Sequence, residues 1–585
     1  MKPGAGGEPE PAGRAGLGRR AIGGSGGSSP REDTAGPLDM LLADAALGPA
    51  RRFIPGMPMA RFAARLASRP QLLARRLSSL GSELARITAG RSELAAGPKD
   101  RRFADPAWTQ NPVLRRVLQA YLAGTATLTE LQGDAGLDWA DNERVSFQLG
   151  NLAEALAPSN NPVLNPAFWK AVIDTGGGNV LAGARRLAGD MATAPRVPSM
   201  VEPDAFAVGV DLAVTPGTVV LRTPVFELIQ YTPATTEVRE RPLLVVPPVI
   251  NKYYIVDLAP GRSLVEYLVS AGQQVFMISW RNPDVRHRDW NLDTYGEAIL
   301  AALAAARDIT GADSALLLGL CSGGILAAMV AAHLAATGQD QQLSGLALAV
   351  TVLDQARAGL PAALLDQRTA QAAMAVSATR GYLDGAALAE VFAWLKPGDL
   401  IWNYWVNNYL LGRPPPPFDI LFWNADTTRM PAGVHRDFIE LALGNSLTVP
   451  GRATMLGSPV DLAAVGVDGY LVAGAADHLC PWQSCYRAVQ LLGGDSRFVL
   501  ARSGHIASMV SPVGNAKAVY RTAPVTPPEP DEWLAAASTE KGSWWPDFAD
   551  WLGQRSGTEK PAPDSNGSPE LPPLEPAPGT YVFDR

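Results

Sequence analysis

Cysteine is nearly absent from this chain. Its 585 residues hold three: Cys321, Cys480 and Cys485. Three cysteines do not make a disulfide framework, and they fit a reducing compartment. Histidine is also scarce, with five residues, so few side chains are available as a general base near neutral pH. There is no excess of positive charge. Lys and Arg number 50 against 57 Asp and Glu, a formal net charge of −7. With no strong basic block in the core, nucleic acid is not expected as the main partner. After Met1 the chain runs through Gly, Pro and charged residues without an apolar stretch, so no secretory leader is expected and a cytosolic protein is inferred. What is plentiful is apolar side chain, at 47%, enough for a large core. The length implies more than one structural unit.

The most informative stretch is apolar. Ala315 to Thr337 carries no formal charge and would pass as a membrane span in a hydropathy window. Gly319-Leu320-Cys321-Ser322-Gly323-Gly324 interrupts it. The run Ala315 to Leu320 suits a buried strand, and Gly323 to Ala336 suits a buried helix. Between them lies G-x-C-x-G, the cysteine form of a nucleophile elbow. Such a turn is sharp, so its flanking side chains must be small. It lifts the nucleophile above the sheet and aims the following N–H, that of Ser322, at a developing oxyanion. A buried structural cysteine among close-packed glycines is the competing explanation of the same residues.

Residues 1–36 are rich in Gly, Pro, Ser and charge and are expected to be disordered. Arg61, Arg65 and Arg69 recur among Phe62, Leu66 and Leu72, which suggests a basic amphipathic helix. Residues 1–100 form an N-terminal extension on this reading. Residues 101–200 have helical periodicity, for example Val113, Leu114, Val117, Leu118, Tyr121 and Leu122. From about Ala205 strands alternate with helices. The expected strands are Val219–Leu221, Phe226–Tyr231, Leu243–Val246, Val275–Trp280, Ala315–Leu320, Leu343–Leu353, Gly469–Ala473 and Arg497–Ala501. This alternation implies an α/β class with a mostly parallel sheet, and residues 201–530 look like an α/β-hydrolase core. An insertion at about 355–450, rich in Trp, Tyr and Asn, is expected to form a cap. Residues 531–585 are expected as a C-terminal helical unit and Pro-rich tail.

A cysteine nucleophile needs a base, because an unperturbed thiol ionises near pH 8.5 (about). His505 lies in a loop after the last core strand, where this fold supplies its base. Its orienting acid is either Asp477, after the penultimate strand, or Asp354, after the strand that follows the elbow; Asp477 is preferred. His478 and Trp482 flank Asp477 and are candidates for contact with substrate or support of the site. His478, Cys480 and Cys485 lack a second ligand pair, so no metal centre is expected. The second oxyanion donor should come from residues 249–255, with Ile255 as the working candidate.

Several segments together resemble the poly(3-hydroxyalkanoate) synthases, the polymerases of bacterial polyester granules. They are Val246-Pro-Pro-Val-Ile-Asn-Lys-Tyr-Tyr-Ile255, Ile278-Ser-Trp-Arg-Asn-Pro283, Gly319-Leu-Cys-Ser-Gly-Gly324, Asp399-Leu-Ile-Trp-Asn-Tyr404, Phe418-Asp-Ile-Leu-Phe-Trp-Asn424, Asp477-His478 before Pro481-Trp482, Ser503-Gly-His505 and Gly542-Ser-Trp-Trp545. The resemblance runs from about Arg101 to the C-terminus. Arg286 to Trp290 and Trp482 to Tyr486 look more like the single-subunit, medium-chain-monomer class. The resemblance implies catalysis by Cys321, Asp477 and His505 and an (R)-3-hydroxyacyl-CoA substrate. CoA is then the leaving group and no cofactor is needed. It further implies a growing polyester chain, a granule surface in the cytoplasm, a homodimer and granule-associated protein partners. A thioesterase or polyester hydrolase of the same fold, and a non-catalytic granule-binding protein, are the competing readings. Two departures stand out: residues 1–100 have no clear counterpart, and Cys480 stands where the family usually has an apolar residue or Thr.

Overall fold

The computed structural model describes residues 45–46, 56–98, 100–356 and 367–585. The expected disorder of residues 1–36 lies outside the described residues. The frame is an eleven-stranded sheet. Its strands are β1 (Gly217–Arg222), β2 (Phe226–Tyr231), β3 (Leu243–Val246), β4 (Val275–Trp280), β5 (Ala315–Leu320), β6 (Leu343–Ala349), β7 (Gly469–Gly474), β8 (Ser496–Ala501), β9 (Val519–Thr522), β10 (Ser538–Lys541) and β11 (Glu575–Pro576). They lie in the order β10-β9-β8-β7-β6-β5-β3-β4-β2-β1-β11. The six central strands, β8 to β4 in that order, are parallel. The outer strands on both sides are antiparallel.

The parallel strands read as continuous apolar runs because both faces are covered. Leu244, Val246, Leu317, Leu346 and Leu471 enter one core cluster, whereas Leu243, Val245, Leu316, Leu318 and Val472 enter the other. That is the period-two alternation of a pleated strand. The first face is closed by the helix Leu292–Thr310 and by Ser322–Ala336. The second is closed by Leu264–Ser270 and Trp545–Gly553. The long apolar run is therefore strand plus helix. Among the described residues no helix is long and apolar enough to cross a membrane.

Residues 531–585 do not stand apart from the core. They supply both edge strands, β10 and β11, and they bury Trp544, Trp545, Phe548 and Trp551 against the second face. The sequence misses this because β10 is a short, fully exposed strand and β11 contains Pro576. The strand expected to reach Leu353 stops at Ala349, where Val350 turns to φ 46°.

Helices Met57–Ala67 and Pro70–Thr88 carry the basic face read from the sequence. Their arginines engage the helical region itself: Arg61 Nη1 lies 2.7 Å from Asp141, and Arg76 donates to Asp134 and Glu130. The insertion after β6 is helical, with Gln367–Arg380, Gly385–Leu395, Asp419–Ala425 and Ala432–Leu443 and two π-helical turns, Gly398–Trp402 and Trp405–Leu410. The N-terminal helices clamp it. Asn179 Nδ2 donates to Leu410 O (2.8 Å), Tyr409 OH to Asp190 (2.6 Å), and Trp405 Nε1 to Asn160 O (3.1 Å).

Candidate active site

Cys321 stands between β5 and the helix Ser322–Ala336 with φ 51° and ψ −117°. A side-chain-bearing residue in such a conformation costs about 1–3 kcal/mol, a strain that clusters at functional sites. The glycines around it are forced by close approach. A Cβ on Gly323 would lie 2.4 Å from the carbonyl oxygens of Val246 and Pro247, and one on Gly319 would lie 2.5 Å from Gly324 Cα. Cys321 N–H is held by Ala349 O at 2.9 Å. Ser322 N–H opens the helix, where no carbonyl lies one turn back to accept it.

His505 begins a short helical turn, His505–Met509, beyond β8. The tryptophans of the C-terminal helix fix that turn from below. Trp544 Nε1 donates to Ser508 O (2.8 Å) and Trp545 Nε1 to Met509 O (3.2 Å). Asp477 follows β7 and is 8% exposed; His505 is 7% exposed. Asp477 Oδ2 accepts from His505 Nδ1 at 2.7 Å, and its Oδ1 accepts from the N–H groups of Leu479 (2.8 Å) and Cys480 (2.9 Å). With Nδ1 committed, the other ring nitrogen of His505 is left for Cys321. The sulfurs of Cys321 and Cys480 and a ring nitrogen of His505 all lie within 4.8 Å of one another.

The electrostatics follow from that crowding. The Cys480 side chain and burial hold the Cys321 thiol well above its ordinary value, against a downward pull from His505. Burial pulls the His505 imidazole down, but the charge and hydrogen bond of Asp477, then Cys321, carry it up to about 10. Burial, followed by Lys396 of the cap, depresses His478 to about 4. Its buried Nδ1 has no hydrogen-bond partner among the described residues.

The remaining candidates separate clearly. Asp354 is bonded to Arg487 (3.1 Å) and Asn445 (2.9 Å), so it ties the end of the cap to the core. Trp482 lies in an aromatic cluster with Phe498 and Trp533. Ile255 sits in the short turn Tyr253–Val256, with its side chain fully buried in the second core cluster. The segment that meets the elbow comes earlier: Val249 N–H donates to Ser322 Oγ at 3.1 Å. Pro247 and Pro248 have no N–H to offer. The other histidines are structural. His333 bonds Met455 O and Ser458, His435 bonds Ser377, and His287 caps its own turn. The third sulfur that the Cys480 departure suggests near the site is there, close to Cys321; sequence reasoning missed the bracing by Trp544 and Trp545, which no local signal marks.

The mostly parallel sheet is that of the α/β-hydrolase class, and the strained cysteine elbow, with histidine and aspartate delivered by the last two parallel strands, is its candidate thiol site. The family model described as alpha/beta hydrolase fold matches residues 255–512, and the one described as Poly-beta-hydroxybutyrate polymerase (PhaC) N-terminus matches residues 99–268. The chain is 45% identical over 516 residues to poly(3-hydroxyalkanoate) polymerase 2 of Ectopseudomonas oleovorans, covering 88% of this chain and 92% of that one. It is 46% identical over 512 residues to polymerase 1 of the same organism, covering 88% and 91%. It is 40% identical over 503 residues to the polymerase subunit PhaC of Cupriavidus necator, covering 85% of each. The chain belongs to the poly(3-hydroxyalkanoate) polymerase family.

Proposed function

We propose that this chain polymerises (R)-3-hydroxyacyl-CoA into polyhydroxyalkanoate with release of CoA, through an acyl-enzyme on Cys321. The observation that carries the reading is Cys321 on its strained elbow beside a His505 that is bonded to Asp477, in a member of this family. His505 takes the thiol proton as the sulfur attacks the thioester carbonyl. The oxyanion meets the N–H of Ser322 and a second donor from the 249–255 loop, sought at Ile250 because Val249 N–H is already given to Ser322 Oγ. CoA leaves with a proton from His505. One thioester has replaced another, so the acyl group stays activated. A 3-hydroxyl then attacks, His505 takes its proton, an oxoester forms and the Cys321 thiol returns.

Water competes with that hydroxyl, so its exclusion decides polymer against free acid. The cap supplies a physical reason: Trp423 Nε1 donates to Lys252 O (2.7 Å) and Tyr254 OH to Asp426 (2.9 Å), which bolts the cap onto the loop beside the elbow. CoA departs as product and no further cofactor enters the scheme. We place the protein in the cytoplasm at granule surfaces, as a homodimer with granule-associated partners. Exposed Leu156, Val163, Ile173 and Leu181 of the N-terminal helical region suit an apolar polyester surface.

The test is incubation with 3-hydroxyacyl-CoAs of several lengths, assaying CoA and insoluble polymer together. Both should appear. CoA with free acid alone would make the protein a hydrolase, and neither would make it a binding protein.

A further inference from the structure

All three cysteines of the chain converge on one place. Cys321 Sγ, Cys480 Sγ and a His505 ring nitrogen lie within 4.8 Å of one another, and Cys485 Sγ lies 3.6 Å from Cys480 O. Of these only Cys321 and His505 have work in the proposed reaction. The donor types are those of zinc sites that keep an open position: two thiolates and one imidazole. Bonds of about 2.3 Å to sulfur and about 2.0 Å to nitrogen put tetrahedral donors about 3.4–3.8 Å apart. The three groups are thus within about an ångström of a closed site without any change of fold. The support around them matches as well. A metal-binding histidine characteristically gives its second ring nitrogen to a carboxylate, which fixes the tautomer and aims the free nitrogen. Asp477 does this for His505 at 2.7 Å, and two backbone N–H groups hold Asp477 in turn.

We infer that Cys321, Cys480 and His505 form an inhibitory binding site for a thiophilic divalent cation of the Zn²⁺ type. Binding replaces the two thiol protons and the proton that the resting His505 carries on its free nitrogen: the cation, two thiols and the imidazolium give a bis-thiolate, imidazole complex and three released protons, with no change of oxidation state. The His505 nitrogen enters as neutral imidazole. Cys321 is then a metal ligand, its lone pairs engaged, and His505 has no free nitrogen with which to accept a proton. Cys480 is the residue that turns a nucleophile–base pair into a three-donor site. That the cation inhibits rests on Cys321 being the nucleophile; that it binds does not.

The experiment uses the full chain, reduced with a non-thiol reductant and freed of metal with a chelator. Co²⁺ is titrated in and the sulfur-to-cobalt charge-transfer absorption is followed, then Zn²⁺ is added to displace it. One equivalent of Co²⁺ should develop the band. In parallel, Zn²⁺ should stop CoA release, and a chelator should restore it, which an oxidised cysteine would not allow. Cys480→Ala and Cys480→Thr should weaken the band and raise the Zn²⁺ needed for half-inhibition, relative to each variant's own metal-free rate, by about 10-fold or more. Cys485→Ala should leave both unchanged. An unaltered band and half-inhibition in both Cys480 variants would overturn the site, as would absence of the band in the unmodified chain. A chain that develops the band but never releases CoA would retain the metal site and refute the polymerase reading instead.

Discussion

His505 Nδ1 lies 2.7 Å from Asp477 Oδ2, while Asp354 is turned away into a bond with Arg487. The two carboxylates that the sequence offers as orienting acids therefore have different work. Asp477→Asn should cost elongation about 10²- to 10⁴-fold, as in a triad whose amide variant holds the wrong tautomer. Initial CoA release should lose less, because a thiol is easier to deprotonate than a hydroxyl. Asp354→Asn should keep both rates near normal and lower the melting temperature, since it loosens the tie to Arg487 and Asn445. A burst assay of CoA release beside steady polymer growth separates the outcomes. A larger elongation loss in Asp354→Asn would reverse the assignment.

Cys321→Ala should abolish CoA release and polymer while changing the unfolding free energy by no more than about 1 kcal/mol. The backbone strain at φ 51° remains and only one sulfur, of a half-buried residue, is removed. Cys321→Ser should fold equally well and be severely impaired, because a hydroxyl is far less acidic than a thiol beside the same base. Normal polymer yield from either variant would remove Cys321 from the reaction.

The junction between the N-terminal helices and the cap can be tested through two glycines of one helix, Gly178–Ala192. A Cβ on Gly183 would lie 2.0 Å from Tyr409 O, whereas one on Gly189 meets nothing within 4 Å. Gly183→Ala should therefore push the helix off the cap, destabilise by about 1–3 kcal/mol, and raise free hydroxy acid relative to polymer as water reaches the acyl-enzyme. Gly189→Ala should be neutral or stabilising by up to about 1 kcal/mol. Melting curves and the acid-to-polymer ratio report the two effects. Equal behaviour of both variants would show that this contact does not seal the site.

The parallel strands and the elbow are legible in the sequence because their constraints are local. A strand buried on both faces must be apolar throughout, and a turn that admits no Cβ at Gly319 or Gly323 must be glycine. Cys321 is legible for the same reason. What stays hidden depends on long-range contact. Nothing near Glu575 announces that it pairs with Val219, and nothing near Trp544 announces that it holds the turn of His505. The loop 249–255 is legible as the source of the second oxyanion donor, but which N–H serves is not, because it depends on where the chain meets the elbow, and it does so at Val249, just after two prolines. Cys480 is legible as a departure that brings a third sulfur near the site, but the distance at which it meets Cys321 is set by tertiary packing.

The last prediction concerns pH. His505 is raised to about 10 in the resting site, against burial, by Asp477 and by Cys321. A general base must be neutral, so CoA release should climb with pH toward that value. Acylation changes the site. The thioester sulfur carries neither proton nor charge, so both contributions of Cys321 to His505 disappear while Asp477 remains. Each had raised His505, so their loss must lower it. Elongation should therefore reach its plateau at a lower pH than acylation. The same shift carries a sign for stability. A base whose folded value lies above its unfolded 6.5 contributes stability that is complete below 6.5 and is lost as pH rises through about 10. The stability difference between the unmodified chain and His505→Gln should shrink across that interval. Single-turnover CoA release and steady polymer growth, each followed from about pH 6 to about pH 10, give the two apparent values. An elongation value equal to or above that of acylation would show that Cys321 does not raise His505. A flat acylation profile would mean that the pair rests as thiolate and imidazolium, with the proton already transferred before substrate arrives.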